Sequence, residues 1–262
     1  MAPSSSLHSS SPTDTSSNSN HATKPVSPLW RLDTITGKGK GLIAKQNITP
    51  GTLILSDSPL ITTECITSIE TTEKDLARAL KALPKDYQRE FLSLHNNYPG
   101  KGSPLSNIAR SNGYPLGPGS EVGGVFPNVS RINHSCQPNA KHTWNEKLKQ
   151  QTVYAIRPIA EDEELFLSYL AGGTSEERKE TLKEHFGFDC TCELCSLPPA
   201  QLQKSDYRII RSQDLYNKIG DPDLAASNPA KLMALGKRLL GKSRSSQFIG
   251  VSVLQRDSYL LI

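Results

Sequence analysis

Long apolar runs and a strong charge of one sign are both missing from this sequence, and each absence removes a class of protein. Nowhere do about 18 apolar residues follow one another, so no transmembrane helix is expected. The front of the chain has neither the apolar stretch of a secretory signal nor the Arg-rich amphipathic pattern of a transit peptide. The expected compartment is therefore cytoplasmic and/or nuclear. Apolar residues make up only 35% of the 262, and residues 1–27 are dominated by Ser, Thr, Pro, Asn and His. Such a segment buries too little surface to offset its ordering entropy and is expected to be disordered. The net charge is only +4, with ten basic and five acidic residues from Lys204 onward. A nucleic-acid binder would carry a basic stripe through its main domain, so no direct nucleic-acid binding is expected. Cysteine is sparse and odd in number: Cys65, Cys136, Cys190, Cys192 and Cys195. Three of the five crowd into C-x-C-x2-C, which in a chain without a secretory signal points to metal ligation and not to a disulfide framework.

What is present alternates between strand and helix signals. Trp30–Ile35 and Thr52–Leu55 read as strands, as does Val122–Phe126. Lys141–Trp144 and Gln151–Ile156 read as a hairpin about the polar turn at Asn145–Lys149. The run Gly37-Lys38-Gly39-Lys40-Gly41 lies between strands with no helix behind it, which argues against a dinucleotide fold and a P-loop. Ile159 to Leu165 repeats the pattern of Ile48 to Leu53, each placing a turn between an isoleucine and a new strand. The second of these strands spans Leu165–Leu170 and sets Tyr169 on the face of Leu165 and Leu167. The acidic run Glu161 to Glu164 reads as a solvated turn.

Helical spacing holds from Thr72 to Asn96. Thr72 and Asp75 give a cap signal, Leu76, Leu80 and Leu83 precede Pro84, and Tyr87, Phe91 and Leu94 form a second apolar stripe. Pro99–Gly119, rich in Gly, Pro, Ser and Asn, reads as a long surface loop. Thr174–His185 reads as a charged helix with Glu176, Glu177, Arg178, Lys179 and Glu180 on its exposed side. Two or three amphipathic helices follow Pro198-Pro199, one starting at Asn228-Pro229 with Leu232, Leu235 and Leu239 as its stripe. The chain ends on the apolar Tyr259-Leu260-Leu261-Ile262.

Chemistry concentrates in Arg131-Ile132-Asn133-His134-Ser135-Cys136-Gln137-Pro138-Asn139. An amide, an imidazole, a hydroxyl and a thiol within nine residues suit a loop whose polar groups face defined partners. A structural zinc site takes four soft ligands, and Cys190, Cys192 and Cys195 supply three. The fourth comes from a distance. Cys136 sits in a polar, turn-forming loop and is preferred to Cys65, which reads as a small buried residue. A hydrolase pairing of His134 with Cys136 is disfavoured, since no orienting acid or oxyanion loop is recognisable and a four-thiolate zinc would consume the nucleophile.

In order along the chain, Gly39-Lys40-Gly41-Leu42, Asn133-His134-Ser135-Cys136-x-Pro138-Asn139, Glu163-Glu164-Leu165-x-x-x-Tyr169 and C-x-C-x2-C resemble the signatures of SET-domain protein lysine methyltransferases. The helical insert and the helices after the cysteines are most similar to the SMYD-like branch and its fungal relatives. That branch usually carries a MYND finger in the insert, and here only Cys65 is present, so the finger is absent. The resemblance implies a β-rich α+β fold of short curved sheets, a helical insert, a zinc-binding post-SET segment and a helical C-terminal extension. The implied divisions are 28–172 for the SET domain with its insert at about 66–104, 173–197 for the post-SET segment and 198–262 for the extension. It implies S-adenosyl-L-methionine as cofactor, structural Zn(2+) on Cys136, Cys190, Cys192 and Cys195, and a protein substrate with an exposed lysine, histones among the candidates. Tyr169 would face the lysine channel as the catalytic residue. Lys38, Gly39, Lys40, Asn112, Asn133, His134, Tyr169 and Phe188 would line the cofactor. Phe186 stands where many relatives have a second channel tyrosine, a departure that bears on how many methyl groups are added. The competing reading is a catalytically silent SET-like module that binds a partner protein.

Overall fold

The computed structural model describes residues 27–245. The front segment expected to be disordered lies outside the described residues except for its last position, and the apolar chain end lies wholly outside them. In chain order the strands and helices are β1 (Trp30–Ile35), β2 (Gly39–Ala44), β3 (Leu53–Asp57), β4 (Ile61–Thr62), α1 (Thr72–Ala82), α2 (Lys85–Leu92), α3 (Pro104–Asn112), β5 (Gly113–Pro115) and β6 (Gly123–Val125). There follow β7 (Asn133–His134), β8 (Ala140–Asn145), β9 (Gln150–Ala155), β10 (Phe166–Leu167), α4 (Ser175–Phe186), α5 (Pro199–Ile219), α6 (Pro222–Ser227) and α7 (Pro229–Ser245).

The strands assemble into small antiparallel sheets in the orders β1-β2, β3-β9-β8 and β4-β6-β5, joined by a short parallel pair of β7 with β10. The expected α+β architecture is present. Strand β2 turns its last four residues inward, and Leu42 and Ala44 enter the main core with Ile54, Phe126, Val129, Ile132, Val153, Leu165 and Leu167. Each such fully buried aliphatic or aromatic side chain contributes roughly 1.5–3 kcal/mol relative to exposure. The repeated isoleucine motif has a structural basis: Ile48 and Ile159 form an antiparallel bridge, exchanging N–H···O bonds of 2.8 and 3.0 Å. The two turns therefore lie side by side, with both isoleucines buried in the core.

The insert forms a second core, in which Leu76, Leu80, Phe91, Leu94 and Ile108 pack beneath Val125. Tyr87 is not part of it and is 48% exposed. The cap of α1 also differs from expectation. Thr71 occupies the N-cap position, and the Asp75 carboxylate instead accepts from Thr67 N (2.8 Å), Thr67 Oγ1 (2.7 Å) and Thr71 Oγ1 (2.8 Å). These hydrogen bonds, led by the Thr67 amide, hold its carboxyl well below the usual carboxylate range.

The expected surface loop at Pro99–Gly119 contains a helix, α3. Pro104 starts it, and its orphan amides are met from another element: Glu73 of α1 accepts from Leu105 N, Ser106 N and Ser106 Oγ at 2.9, 2.9 and 2.7 Å. A cap donated from 32 residues upstream leaves no local signal. The strand expected over Leu165–Leu170 stops at Leu167, where Ser168 turns the chain by accepting from Leu170 N (3.2 Å) and donating to Leu170 O (2.9 Å). Helix α4 has the capping box of Thr174 and Glu177, ends on Gly187 at φ 75°, and hands the chain to the three cysteines.

Candidate active site and metal centre

Four sulfurs define the metal centre. Cys136 lies just after β7, and Cys190, Cys192 and Cys195 follow α4; the four Sγ atoms all lie within 4.8 Å of one another. Cys136 Sγ is 3.8 Å from Cys190 Sγ and 3.6 Å from Cys195 Sγ. A tetrahedron with Zn–S bonds of about 2.3 Å sets its sulfurs roughly 3.8 Å apart, so the donor set fits a structural zinc ion. Cys65 is absent from the cluster and packs against the insert core. The hydrogen bonds the four thiols share favour the thiolate at Cys192 and Cys195, the latter down to about 6, and push the Cys136 and Cys190 thiols up. The cluster thus gathers negative charge on two of its sulfurs even before a metal displaces the remaining protons. Thiolates are the form a metal takes up.

Arg178 was expected on the solvated face of α4, yet it is 4% exposed. Its Nη2 lies 4.0 Å from Cys195 Sγ, its Nη1 donates to Gly173 O at 2.6 Å, and Asp206 of α5 stands 3.9 Å away. Burial of a cation beside four thiols follows from the charge that thiolates concentrate there. Leu170 and Leu182 close the cluster, with Tyr169, Phe186 and Phe188 partly buried against it.

The metal loop leads directly into an aromatic group. The Tyr169 ring sits 5.2 Å from His134 and 4.9 Å from Phe186, and Phe188 is 6.1 Å from His134. Tyr169 donates its hydroxyl proton to Ile132 O at 2.8 Å and its backbone N–H to His134 Nδ1 at 2.9 Å. His134 Nε2 is in turn 3.3 Å from Cys136 Sγ. Burial pushes the His134 imidazole down to about 4, leaving it neutral at pH 7. The pairing of His134 with Cys136 is thus part of the four-sulfur centre.

On the other side of β7, Asn133 donates through Nδ2 to Glu164 Oε1 (2.7 Å) and Lys40 O (3.2 Å). Lys38 Nζ reaches Glu164 Oε2 at 2.9 Å and lies 4.5 Å over the Phe166 ring. Gly39 turns the hairpin at φ 78°, while Gly41 is pressed against this group: an added Cβ would stand 2.8 Å from Asn133 Nδ2 and 2.9 Å from Glu164 Oε1. The acidic run at Glu161 to Glu164 is therefore not uniformly solvated. Glu164 is 11% exposed, and Glu163 accepts from Asn139 Nδ2 (3.0 Å) and Arg157 Nη2 (2.9 Å).

Glu164 and Asn139 are site residues that sequence reasoning missed or underused. Fully buried Asn139 donates to Glu164 O (2.7 Å) and accepts from Phe166 N (2.7 Å), tying the end of the metal loop to β10. The sequence signal was present in the two motifs, but their pairing across about 25 residues is visible only in the fold. Asn112 stands apart from this hydrogen-bond network. Its amide donates to His95 O (2.6 Å) and Ile108 O (2.8 Å), and its backbone carbonyl accepts from Ser130 Oγ (2.9 Å), just ahead of Asn133.

Residues 39–170 match the model of the SET domain. The histone-lysine N-methyltransferase set5 of Schizosaccharomyces pombe is 38% identical over 214 residues, covering 80% of this chain and 64% of that protein. The histone-lysine N-methyltransferase SMYD1 of Homo sapiens is 40% identical over 84 residues, 28% of this chain and 17% of its own. The N-lysine methyltransferase SMYD2 of Gallus gallus is 30% identical over 141 residues, 52% of this chain and 30% of its own. The chain thus spans just under two thirds of the first relative and smaller shares of the other two. With the SET model matched from the glycine hairpin through Tyr169, and four cysteines gathered behind it, this chain belongs to the SET-domain family.

Proposed function

We propose that this protein is an S-adenosyl-L-methionine-dependent protein-lysine N-methyltransferase. The observation that carries the reading is the meeting, on one loop, of Asn133 and His134 with Tyr169 and Phe188, held by the four-cysteine centre. When bound, S-adenosyl-L-methionine supplies a methyl group on a sulfonium, which an amine takes by in-line displacement. Alignment then contributes much of the rate. Lys38, Gly39, Lys40 and Asn133 line the amino-acid end of the cofactor, with Gly41 allowing close backbone approach. His134 and Phe188 flank its adenine side. Asn112, with both amide hydrogens committed, offers its side-chain oxygen.

Tyr169 is the catalytic residue. Its proton is committed to Ile132 O, so toward an amine its oxygen acts as an acceptor and orients the nitrogen lone pair. The Tyr169 and Phe186 rings provide an apolar wall that disfavours a charged ammonium and so favours the reactive neutral amine. The substrate is an exposed lysine of a protein. Two of the named relatives are called histone-lysine methyltransferases, which makes histones the first candidates. Among the described residues no helix is long and apolar enough to cross a membrane, in keeping with action in the cytoplasm and/or nucleus. In this reading residues 28–172 form the SET unit, with the insert extended through Asn112 because α3 packs in its core. Residues 173–197 form the metal-binding segment, and those from 198 onward the helical extension.

Calorimetric titration of the zinc-loaded protein with S-adenosyl-L-methionine and S-adenosyl-L-homocysteine tests this. Saturable binding that weakens in Asn133→Ala is expected. Absence of binding to both ligands would remove the proposal.

A further inference from the structure

The direction of two hydrogen bonds around His134 has a consequence for how the metal centre and Tyr169 communicate. A backbone N–H can only donate, and that of Tyr169 points to His134 Nδ1 at 2.9 Å. Nδ1 therefore carries no proton, and the single ring proton of the neutral imidazole stands on Nε2. Nε2 lies 3.3 Å from Cys136 Sγ, so the bond there runs from the ring N–H to the sulfur. The ring is 7% exposed and is held at both nitrogens, while Leu167 and His134 are register partners in the β7–β10 pair.

We infer that His134 is a positioning residue that couples the four-cysteine centre to the placement of Tyr169, its imidazole carrying one hydrogen bond to the Cys136 sulfur and accepting one from the Tyr169 backbone. This rests on the methyltransferase reading and on zinc at the cysteines, and it gives His134 a role distinct from contact with the cofactor. A metal-bound thiolate is a good acceptor for the Nε2 proton, and a ligand's hydrogen-bond partner fixes its orientation and tunes metal affinity. In the other direction, loss of the metal or oxidation of Cys136 changes what Nε2 can bond to and loosens the ring that seats Tyr169. The metal centre then acts on the reaction although it touches no reacting atom.

The test uses the full chain loaded with zinc. Ring 15N shifts of the histidines, with His134 assigned by its loss in a variant, should show Nε2 protonated and Nδ1 unprotonated. A protonated Nδ1 in the wild type overturns the inference without recourse to any variant's behaviour. Two substitutions then separate the two bonds. His134→Asn keeps an acceptor near Nδ1 and loses the donor to sulfur. His134→Gln keeps a donor near Nε2 and loses the acceptor. Chelator competition should show zinc affinity falling by roughly 10-fold or more in His134→Asn, in the range found for outer partners of metal ligands. His134→Gln should keep its zinc affinity, shift the Tyr169 amide resonance and lower kcat at saturating S-adenosyl-L-methionine with little change in KM for the protein substrate. Equal zinc loss in both variants, or a Tyr169 amide unmoved in His134→Gln, would overturn the coupling. A wild type that binds no zinc would remove the metal reading and this inference with it. A wild type with zinc and the expected tautomer that transfers no methyl would remove only the proposed activity.

Discussion

Adding one methyl group at Gly41 tests how tightly the glycine hairpin is built against the Asn133 loop. The new Cβ would stand 2.8 Å from Asn133 Nδ2, 2.8 Å from Ile35 Cγ1 and 2.9 Å from Glu164 Oε1. Ordinary contacts begin near 3.4 Å, so all three neighbours must retreat by about half an ångström or more. Two of them are the partners of the 2.7 Å Asn133–Glu164 hydrogen bond, whose charged acceptor makes its loss worth about 1.5–3 kcal/mol. Overpacking adds about 1–3 kcal/mol. For Gly41→Ala the expected cost is therefore roughly 2.5–6 kcal/mol, a fall in Tm of about 5–24 °C for a chain of this length. Gly39 is the control. Its φ of 78° restricts it to residues that tolerate the left-handed region, but nothing lies within 4 Å of an added Cβ. Gly39→Asn should lose well under half as much as Gly41→Ala, since asparagine visits that region at small cost. Thermal melts followed by circular dichroism at fixed zinc, with cofactor titrations beside them, read both effects. A Gly41→Ala protein that melts within about 2 °C of wild type, or a Gly39→Asn protein that loses more than it, would refute the close-approach argument.

Three further expectations follow from the same geometry. Arg178→Met, which removes the buried cation beside Cys195, should weaken zinc binding by roughly 10-fold in chelator competition while Arg178→Lys retains part of the affinity; equal affinities would show the charge to be irrelevant. His142 lies in the core between Tyr114 and Gln151, and burial pushes it down to about 4 from 6.5. The unfolded chain then binds the extra proton first, so stability falls as pH drops from about 6.5 to about 4, by up to about 3 kcal/mol from this group. His142→Gln should flatten its share of that slope in denaturant titrations, and an unchanged slope would contradict the assignment. Glu73→Ala should uncap α3 at a cost of about 1–3 kcal/mol and speed proteolysis within residues 99–112; unchanged cleavage would show that the helix does not depend on the distant carboxylate.

What could be read without a structure was whatever depends on local order. Alternation marks Trp30–Ile35 and the hairpin of β8 and β9, and both form where expected: β8 buries Ala140 and His142 and exposes Lys141 and Thr143, while β1, with no buried residue, is held by its pairing along β2. The choice of Cys136 over Cys65 followed from chemical context, a polar loop as against an apolar one, and the four sulfurs meet accordingly. Three of the misses share one cause, a partner that only folding brings near. Helix α3 looks like a loop because its cap is Glu73. Glu164 looks like its neighbours in an acidic turn because Lys38, 126 residues earlier, and Asn133, 31 earlier, single it out only after folding. Arg178 sits in a run of charges on a weakly amphipathic helix, and only the cysteine cluster gives a reason to bury it. Tyr87 shows the opposite failure: its helical spacing was right, but α2 buries too narrow a face to include it.

Methyltransferase activity is tested most directly by transfer of a labelled methyl group from S-adenosyl-L-methionine to protein by the zinc-loaded chain, with core histones and whole-cell lysate as acceptors and acid hydrolysis to identify the modified residue. Label recovered as N-methyl-lysine, and strongly reduced or redirected in Tyr169→Phe at unchanged zinc content, is the predicted result. Saturable cofactor binding with no labelled lysine in either acceptor would contradict it and leave a silent binding module in its place.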